Sequence, residues 1–198
     1  MPESDPLRLQ GQGFVLRRWS PHDLRSLVRH ANDAEVARGL SSRFPHPYRR
    51  LDGVRFLAGE VVDLRDPVLA IEIDGVACGG IGAHPASGER AGVAELGYWL
   101  GRRYWGQGIM TRVLDCYVPW VMRELSLHRL QAQVLVSNPA SAAVLAKCGF
   151  EQEGIQRQAV LRAGKPQDLR LFSLILPLPD AIAANALPAV SSMAIDHE

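Results

Sequence analysis

The 198-residue sequence contains no run of about 18 uninterrupted apolar residues, the length a helix needs to cross a bilayer. It has almost no charge excess, since 22 Lys and Arg stand against 21 Asp and Glu. A chain so nearly balanced lacks the basic footprint of a nucleic-acid or membrane-surface binder, and neither partner is expected. Cysteine is scarce. Cys78, Cys116 and Cys148 are scattered through apolar stretches and form no C-x-x-C pair. That count and spacing argue against a disulfide framework and fit a reducing compartment. The first ten residues hold acids and prolines but no apolar core, unlike a signal peptide. The expectation is a soluble cytoplasmic protein with no metal.

What is present is an ordinary globular composition, 47% hydrophobic and 22% charged. The length suits one domain, which at this size buries roughly 70% of the surface of its unfolded chain. Residues 1–177 are expected to form that domain. Residues 178–198, rich in Ala, Ser and Pro, are expected to be a mobile or partly helical tail.

Hydrophobic periodicity divides the chain into elements. Residues 14–19 read as a strand. Ser20-Pro21-His22-Asp23 then opens a helix, with Ser20 as N-cap, Pro21 at N1 and an acid at N3. A short helix is expected at 34–39, a proline-bearing loop at 41–48 and a third helix at 51–65. The period then shortens to two. Strands are expected at 67–73 and 76–83, joined by the hairpin pair Asp74-Gly75. A polar link at 85–92 leads to a strand at 93–100, a glycine-bearing loop and a long helix at 108–125. Residues 129–136 give a strand and 138–148 a helix stopped by Gly149. A final hairpin spans 150–161 and 167–176. The order implies an α/β chain of the α+β type: a mixed, mostly antiparallel central sheet of six to seven strands, with helices on both faces.

Chemistry concentrates where the strand at 93–100 runs through Arg102-Arg103-Tyr104-Trp105-Gly106-Gln107-Gly108 into the long helix. Unpaired amides at a helix start, together with the positive end of its dipole, make an anion site. Glycine lets the backbone approach the anion closely. Arg102 and Arg103 can add charge-assisted bonds. The anion is expected to be a phosphate or pyrophosphate. A dinucleotide fingerprint needs a third glycine where Thr111 stands, and a nucleotide P-loop needs a terminal G-K-[ST] that is absent.

The segment resembles the pyrophosphate motif [RQ]-x-x-G-x-[GA] of the GCN5-related N-acetyltransferase (GNAT) superfamily, most closely its RimJ/RimL branch. The motif stands here as Arg103-Tyr104-Trp105-Gly106-Gln107-Gly108. The preceding Glu95-Leu96-Gly97-Tyr98-Trp99-Leu100 is similar to the strand before it in that branch. Asn138-Pro139-Ala140-Ser141, followed by Lys147-Cys148-Gly149-Phe150, matches N-x-x-S-x(5)-[KR]-x-G-F. The resemblance covers about residues 10 to 177 and is strongest from about 94 to 155. It departs at Pro119 inside the long helix, which is expected to kink or open that helix while sparing the phosphate cradle.

The resemblance implies a GNAT fold and transfer of acetyl from acetyl-CoA to an amine by direct attack in a ternary complex. The cofactor would lie where the strands at 94–100 and 129–136 splay. Trp99 and Leu100 would flank the pantetheine. Gly106, Gln107, Gly108, Ile109, Met110 and Thr111 would hold the pyrophosphate with Arg102 and Arg103, and Asn138 and Ser141 would also touch the cofactor. Glu95 is the candidate base; strand alternation places it with Gly97 and Trp99 on one face. Its alternative is a structural carboxylate paired with an arginine. Ser141 is the candidate acid toward the sulfur, or the N3 residue of a helix capped by Asn138. Arg43, His46, Tyr48 and His84 are candidate acceptor-binding residues, with His84 an alternative base. Tyr104 and Trp105 could line the groove, with core packing the favoured expectation for Trp105. The acceptor is an amine, either a protein N-terminus or a small molecule, and the resemblance allows a homodimer. A non-catalytic acyl-CoA-binding module on the same fold is the competing reading.

Overall fold

The computed structural model describes residues 7–176 of the chain; the expected tail at 178–198 lies outside them. In chain order the elements are β1 (Arg8–Gly11), β2 (Phe14–Arg18), α1 (Leu24–Ala31), α2 (Ala34–Arg38), α3 (Arg50–Leu57), β3 (Val68–Ile73), β4 (Val76–Pro85), β5 (Val93–Leu100), α4 (Ile109–Glu124), β6 (Arg129–Leu135), α5 (Pro139–Lys147), β7 (Glu151–Arg162) and β8 (Lys165–Ile175). One eight-stranded sheet runs β1-β2-β3-β4-β5-β6-β8-β7. Every neighbouring pair is antiparallel except β5 and β6, which are parallel.

Turn chemistry sets the hairpins. Asp74 and Gly75 lie at φ 50 and 75, and Ala163 and Gly164 at φ 48 and 74. Two consecutive left-handed residues twist as the flanking strands do. The first pair is the expected hairpin; the second shortens the expected 162–166 connection to two residues.

Three elements differ from expectation. The sheet gains β1, a four-residue strand too short for periodicity to single out. The helix expected at 51–65 ends at Leu57. Gly59 there takes φ 78, Glu60 N–H bonds the Arg55 carbonyl at 3.0 Å and Gly59 N–H bonds the Phe56 carbonyl at 2.9 Å. That is a Schellman stop, and it overrides the apolar spacing that continues beyond it. Third, α4 does not open at Pro119 but stays helical from Ile109 to Glu124. Pro119 and Asp115 are both exposed, so water can satisfy the carbonyl that proline leaves without a donor.

The sheet separates two apolar layers. On one face Leu16, Ile71, Ile81 and Leu130 pack with Val113, Leu114, Tyr117 and Val121 of α4. The buried α4 positions recur at helical spacing, and each large side chain contributes roughly 2 kcal/mol of burial. On the other face Leu27 and Ala31 of α1 pack with Tyr48, Trp19, Phe44, Phe56 and Trp99. The Ser20 start of the α1 segment forms as expected. Asp23 accepts the Ser20 N–H at 2.9 Å and is gripped by both terminal nitrogens of Arg17 at 2.8 Å.

The site is positioned by an incomplete strand pair. β5 and β6 pair only at Val93↔Arg129, Ala94↔Leu130 and Glu95↔Gln131. Beyond Glu95 they part, so the later β5 residues have no strand partner on that side. The Gly101 N–H bonds the Cys78 carbonyl on the β4 side. Alternation therefore turns the backbone groups of Leu96, Tyr98 and Leu100 toward the gap.

Candidate active site

The loop between β5 and α4 forms a row of unpaired donors. Among the described residues, the six consecutive amide N–H groups of residues 106–111 have no acceptor. Gly106 and Gly108 sit at φ 72 and 67, a region where a Cβ clashes with its own backbone. Those two left-handed residues turn successive amides to one side, and the α4 dipole adds its positive end there. A Cβ on Gly106 would meet nothing within 4 Å, and one on Gly108 would meet only the end of the Arg112 side chain at 3.4 Å.

Around this row lies a cavity of about 520 Å³. Trp99, Leu100, Gly106, Gly108, Ile109, Met110, Thr111, Asn138 and Ser141 all line it. Arg102, Arg103 and Gln107 do not. Arg102 and Arg103 are exposed; the Arg103 guanidinium stacks 4.9 Å from the Tyr104 ring centre. The Gln107 side-chain amide donates to the Arg103 carbonyl at 2.9 Å, closing the turn.

A second, larger cavity of about 1070 Å³ opens against the α1 and α3 face of the sheet. Glu95, His84, Arg43 and Tyr48 line it, and His46 does not. Glu95 stands opposite His84 in the β4–β5 register. It is exposed and, among the described residues, forms no ion pair or hydrogen bond. The arginine-paired alternative for Glu95 therefore has no counterpart there. His84 Nδ1 lies 3.5 Å from the Asp66 carboxylate. Burial, with Asp52 nearby, pushes the Tyr48 hydroxyl up to about 12, so it stays protonated at neutral pH.

The two cavities share Gly39, Leu40, Tyr98, Trp99 and Ser141 in their walls. Ser141 thus stands where they meet. Its N–H donates to the Asn138 Oδ1 at 3.2 Å, the expected cap of α5. Its hydroxyl lies 2.8 Å from that of Tyr98.

The row of unpaired amides at a helix start, beside two strands that part, lies within residues 14–151, which match the family model described as acetyltransferase (GNAT) domain. The chain belongs to the GNAT acetyltransferase family. It is similar to the probable N-acetyltransferase YjcK of Bacillus subtilis, 38% identical over 84 residues, which are 42% of this chain and 46% of that one. It is similar to the [ribosomal protein uS5]-alanine N-acetyltransferase of Escherichia coli, 33% identical over 82 residues, 41% and 42% of the two chains. This GNAT chain spans about half the length of such curated relatives, although 27% identity to the uncharacterized N-acetyltransferase p20 of Bacillus licheniformis runs over 84% of this chain and 95% of that one. Among solved structures, a GNAT acetyltransferase from Bacillus anthracis superposes with a TM-score of 0.75 at 16% identity, covering 85% and 98%. RimL in complex with coenzyme A superposes with a TM-score of 0.75 at 21% identity, covering 86% and 98%. These superpositions show the fold.

The cavity walls and the residues beside them include positions outside the expected site set. Gly39 and Leu40, just after α2, reach the junction through tertiary packing alone. Trp105, expected in the core, is 46% exposed. It lines the smaller cavity, and its indole N–H donates to the Leu100 carbonyl at 2.7 Å. Arg112, one turn into α4, donates to the Gln107 carbonyl at 3.2 Å; its position four residues after Gly108 was the available signal. Tyr98 lay inside a motif block, and strand alternation already placed it on the face opposite Glu95. Among the described residues no group of three or more metal-ligating side chains occurs, and no helix is long and apolar enough to cross a membrane.

Proposed function

We propose that this chain is an acetyl-CoA-dependent N-acetyltransferase that acylates a primary amine by direct attack in a ternary complex. The observation that carries the reading is the row of six unpaired amides at residues 106–111, set beside the gap between β5 and β6. A pyrophosphate offers several acceptor oxygens to such a row, and nothing lies within 4 Å of where a Gly106 Cβ would stand. Arg102 and Arg103 add positive charge at its rim. The backbone groups of Leu96 and Tyr98 and the Leu100 N–H, which face the gap beside Trp99, suit an amide-bearing pantetheine arm, which would pair with β5 as another strand does. Acetyl-CoA bound there would supply an activated acyl thioester.

The chain's own groups then divide the work. Ser141, at the junction of the cavities, directs its hydroxyl to the thioester sulfur. Glu95, free of any partner and facing the larger cavity, takes the proton of the incoming amine directly or through water. The demand is small for an α-amine, whose reference pKa is about 7.7–8.0, and larger for lysine at about 10.4. The larger cavity, walled by Arg43, Tyr48 and His84, receives the acceptor, either a protein N-terminus or a small-molecule amine. The names of relatives that acetylate ribosomal-protein alanine and serine residues favour the first. The enzyme would work in the cytoplasm without a metal, and the family resemblance allows a homodimer.

The test is incubation with acetyl-CoA and a panel of peptides and small amines, following CoA thiol release and the acetylated product by mass spectrometry. Acetylation of at least one amine class is expected. Tight acetyl-CoA binding with no turnover on any amine would instead mark a binding module.

A further inference from the structure

Ser141 is held from two directions. Its backbone is capped by Asn138 on its own helix, whereas its hydroxyl is met across the gap by Tyr98 of β5. The Tyr98 hydroxyl lies 2.8 Å from the Ser141 Oγ and 3.3 Å from the Ser141 carbonyl. Both of its polar contacts are therefore to one residue. The tyrosine stands in the wall of both cavities, so the pair sits where the proposed donor and acceptor sites meet.

Resting on the reading of the smaller cavity as a coenzyme A site, we propose that Tyr98 is a positioning residue: its O–H donates to the Ser141 Oγ and so turns the Ser141 hydrogen toward the thioester sulfur. A serine hydroxyl free to rotate divides its time among several acceptors. One whose lone pair is engaged by a neighbouring O–H is both oriented and made a stronger donor, because hydrogen bonds in a chain polarise each other. When the C–S bond breaks, its electron pair goes to sulfur. The chain meets that charge with the Ser141 O–H, backed by the Tyr98 O–H. Neither hydroxyl gives up its proton. Burial pushes the Tyr98 hydroxyl up to about 12, against the opposing effect of Ser141, so it remains a donor at neutral pH. The proton of the attacking amine leaves separately, through Glu95.

The test uses the whole chain in four forms: wild type, Tyr98→Phe, Ser141→Ala and the double variant. Phenylalanine keeps the ring that packs beside the core and removes only the hydroxyl. The first readout needs no turnover. Coenzyme A is bound to each form and the ionisation of its thiol is followed by thiolate absorbance as pH is raised. The wild type should ionise bound coenzyme A at lower pH than free coenzyme A. Tyr98→Phe and Ser141→Ala should each weaken that ionisation about tenfold, the scale of one polarised hydrogen bond. The double variant should match Ser141→Ala, because Tyr98 acts only through Ser141. In turnover, Tyr98→Phe should lower kcat about tenfold and leave the acetyl-CoA KM unchanged. Wild-type thiol ionisation in Tyr98→Phe, or additive effects in the double variant, would overturn the inference while leaving the cofactor reading intact. Failure of the wild type to bind coenzyme A would overturn both.

Discussion

The Trp105 indole N–H donates to the Leu100 carbonyl at 2.7 Å, and this bond ties the end of β5 to the turn that carries Gly106 and Gly108. It closes the loop from the cavity side, while the Gln107 side chain closes it from the outer side through the Arg103 carbonyl. Trp105→Phe should keep the ring and lose the tie. A neutral hydrogen bond contributes about 1 kcal/mol, so acetyl-CoA should bind roughly fivefold more weakly. Isothermal titration calorimetry reads this directly. An unchanged affinity would show that the loop is held without Trp105.

The amide row makes a stronger demand at Gly108. Its φ of 67 excludes side chains at a cost of about 1–2 kcal/mol. Gly108→Glu adds a carboxylate beside the amides that should face a pyrophosphate. Binding of acetyl-CoA should fall on the order of 100-fold or more, with circular dichroism showing the fold retained. Calorimetry with unaltered affinity would remove the pyrophosphate from this loop.

Glu95 can be tested by Glu95→Gln, which preserves size and exposure. If Glu95 accepts the amine proton, kcat should drop about 100-fold, within the range of general-base catalysis, while acetyl-CoA affinity stays the same. The rate should recover partly as pH rises and more of the amine is already neutral. Wild-type kcat in the variant would leave proton removal to water or to His84.

A stability prediction comes from the ion cluster under α1. Burial opposes ionisation of Asp23, but the Arg17 fork and the Ser20 N–H outweigh it and hold the carboxyl below its ordinary range. A depressed folded-state value means Asp23 adds stability above its unfolded value of about 3.9, and loses it as pH falls through the lower folded value. Asp23→Ala should cost about 3 kcal/mol at pH 7, since it leaves a partly buried Arg17 with Glu72 as its one carboxylate partner among the described residues packed on it. Urea melts at pH 7 and below pH 4 would check both parts. The wild type should lose stability steeply in acid, and the variant should lack this component of the slope.

Much of the fold was legible because its signals are local. Asp74-Gly75, Ser20-Pro21-His22-Asp23 and Asn138 each act within a few residues, so the hairpin and both helix starts follow from composition at fixed offsets. The glycine loop was legible for the same reason. The helix expected at 51–65 failed on a signal of equal range, the Gly59 stop, which apolar spacing concealed. β1 was missed because four residues with alternating exposure carry too little pattern. Trp105 was misplaced because an aromatic residue looks like core until the position of its hydrogen-bond acceptor is known.

The sequence by itself determined where the glycine loop runs into a helix. Glycine at 106 and 108 permits the left-handed turn, and the start of a helix leaves its first amides without partners. It also determined the alternation that separates Glu95 and Trp99 from Tyr98, because side chains along a strand must point to opposite faces. Tertiary structure alone decided what those residues meet. The parting of β5 from β6 after Glu95, the arrival of Gly39 and Leu40 at the junction, and the closure of Tyr98 on Ser141 across 43 residues of chain depend on how the sheet and helices pack. No local rule contains that information, because the partners are brought together by burial of apolar surface far along the chain.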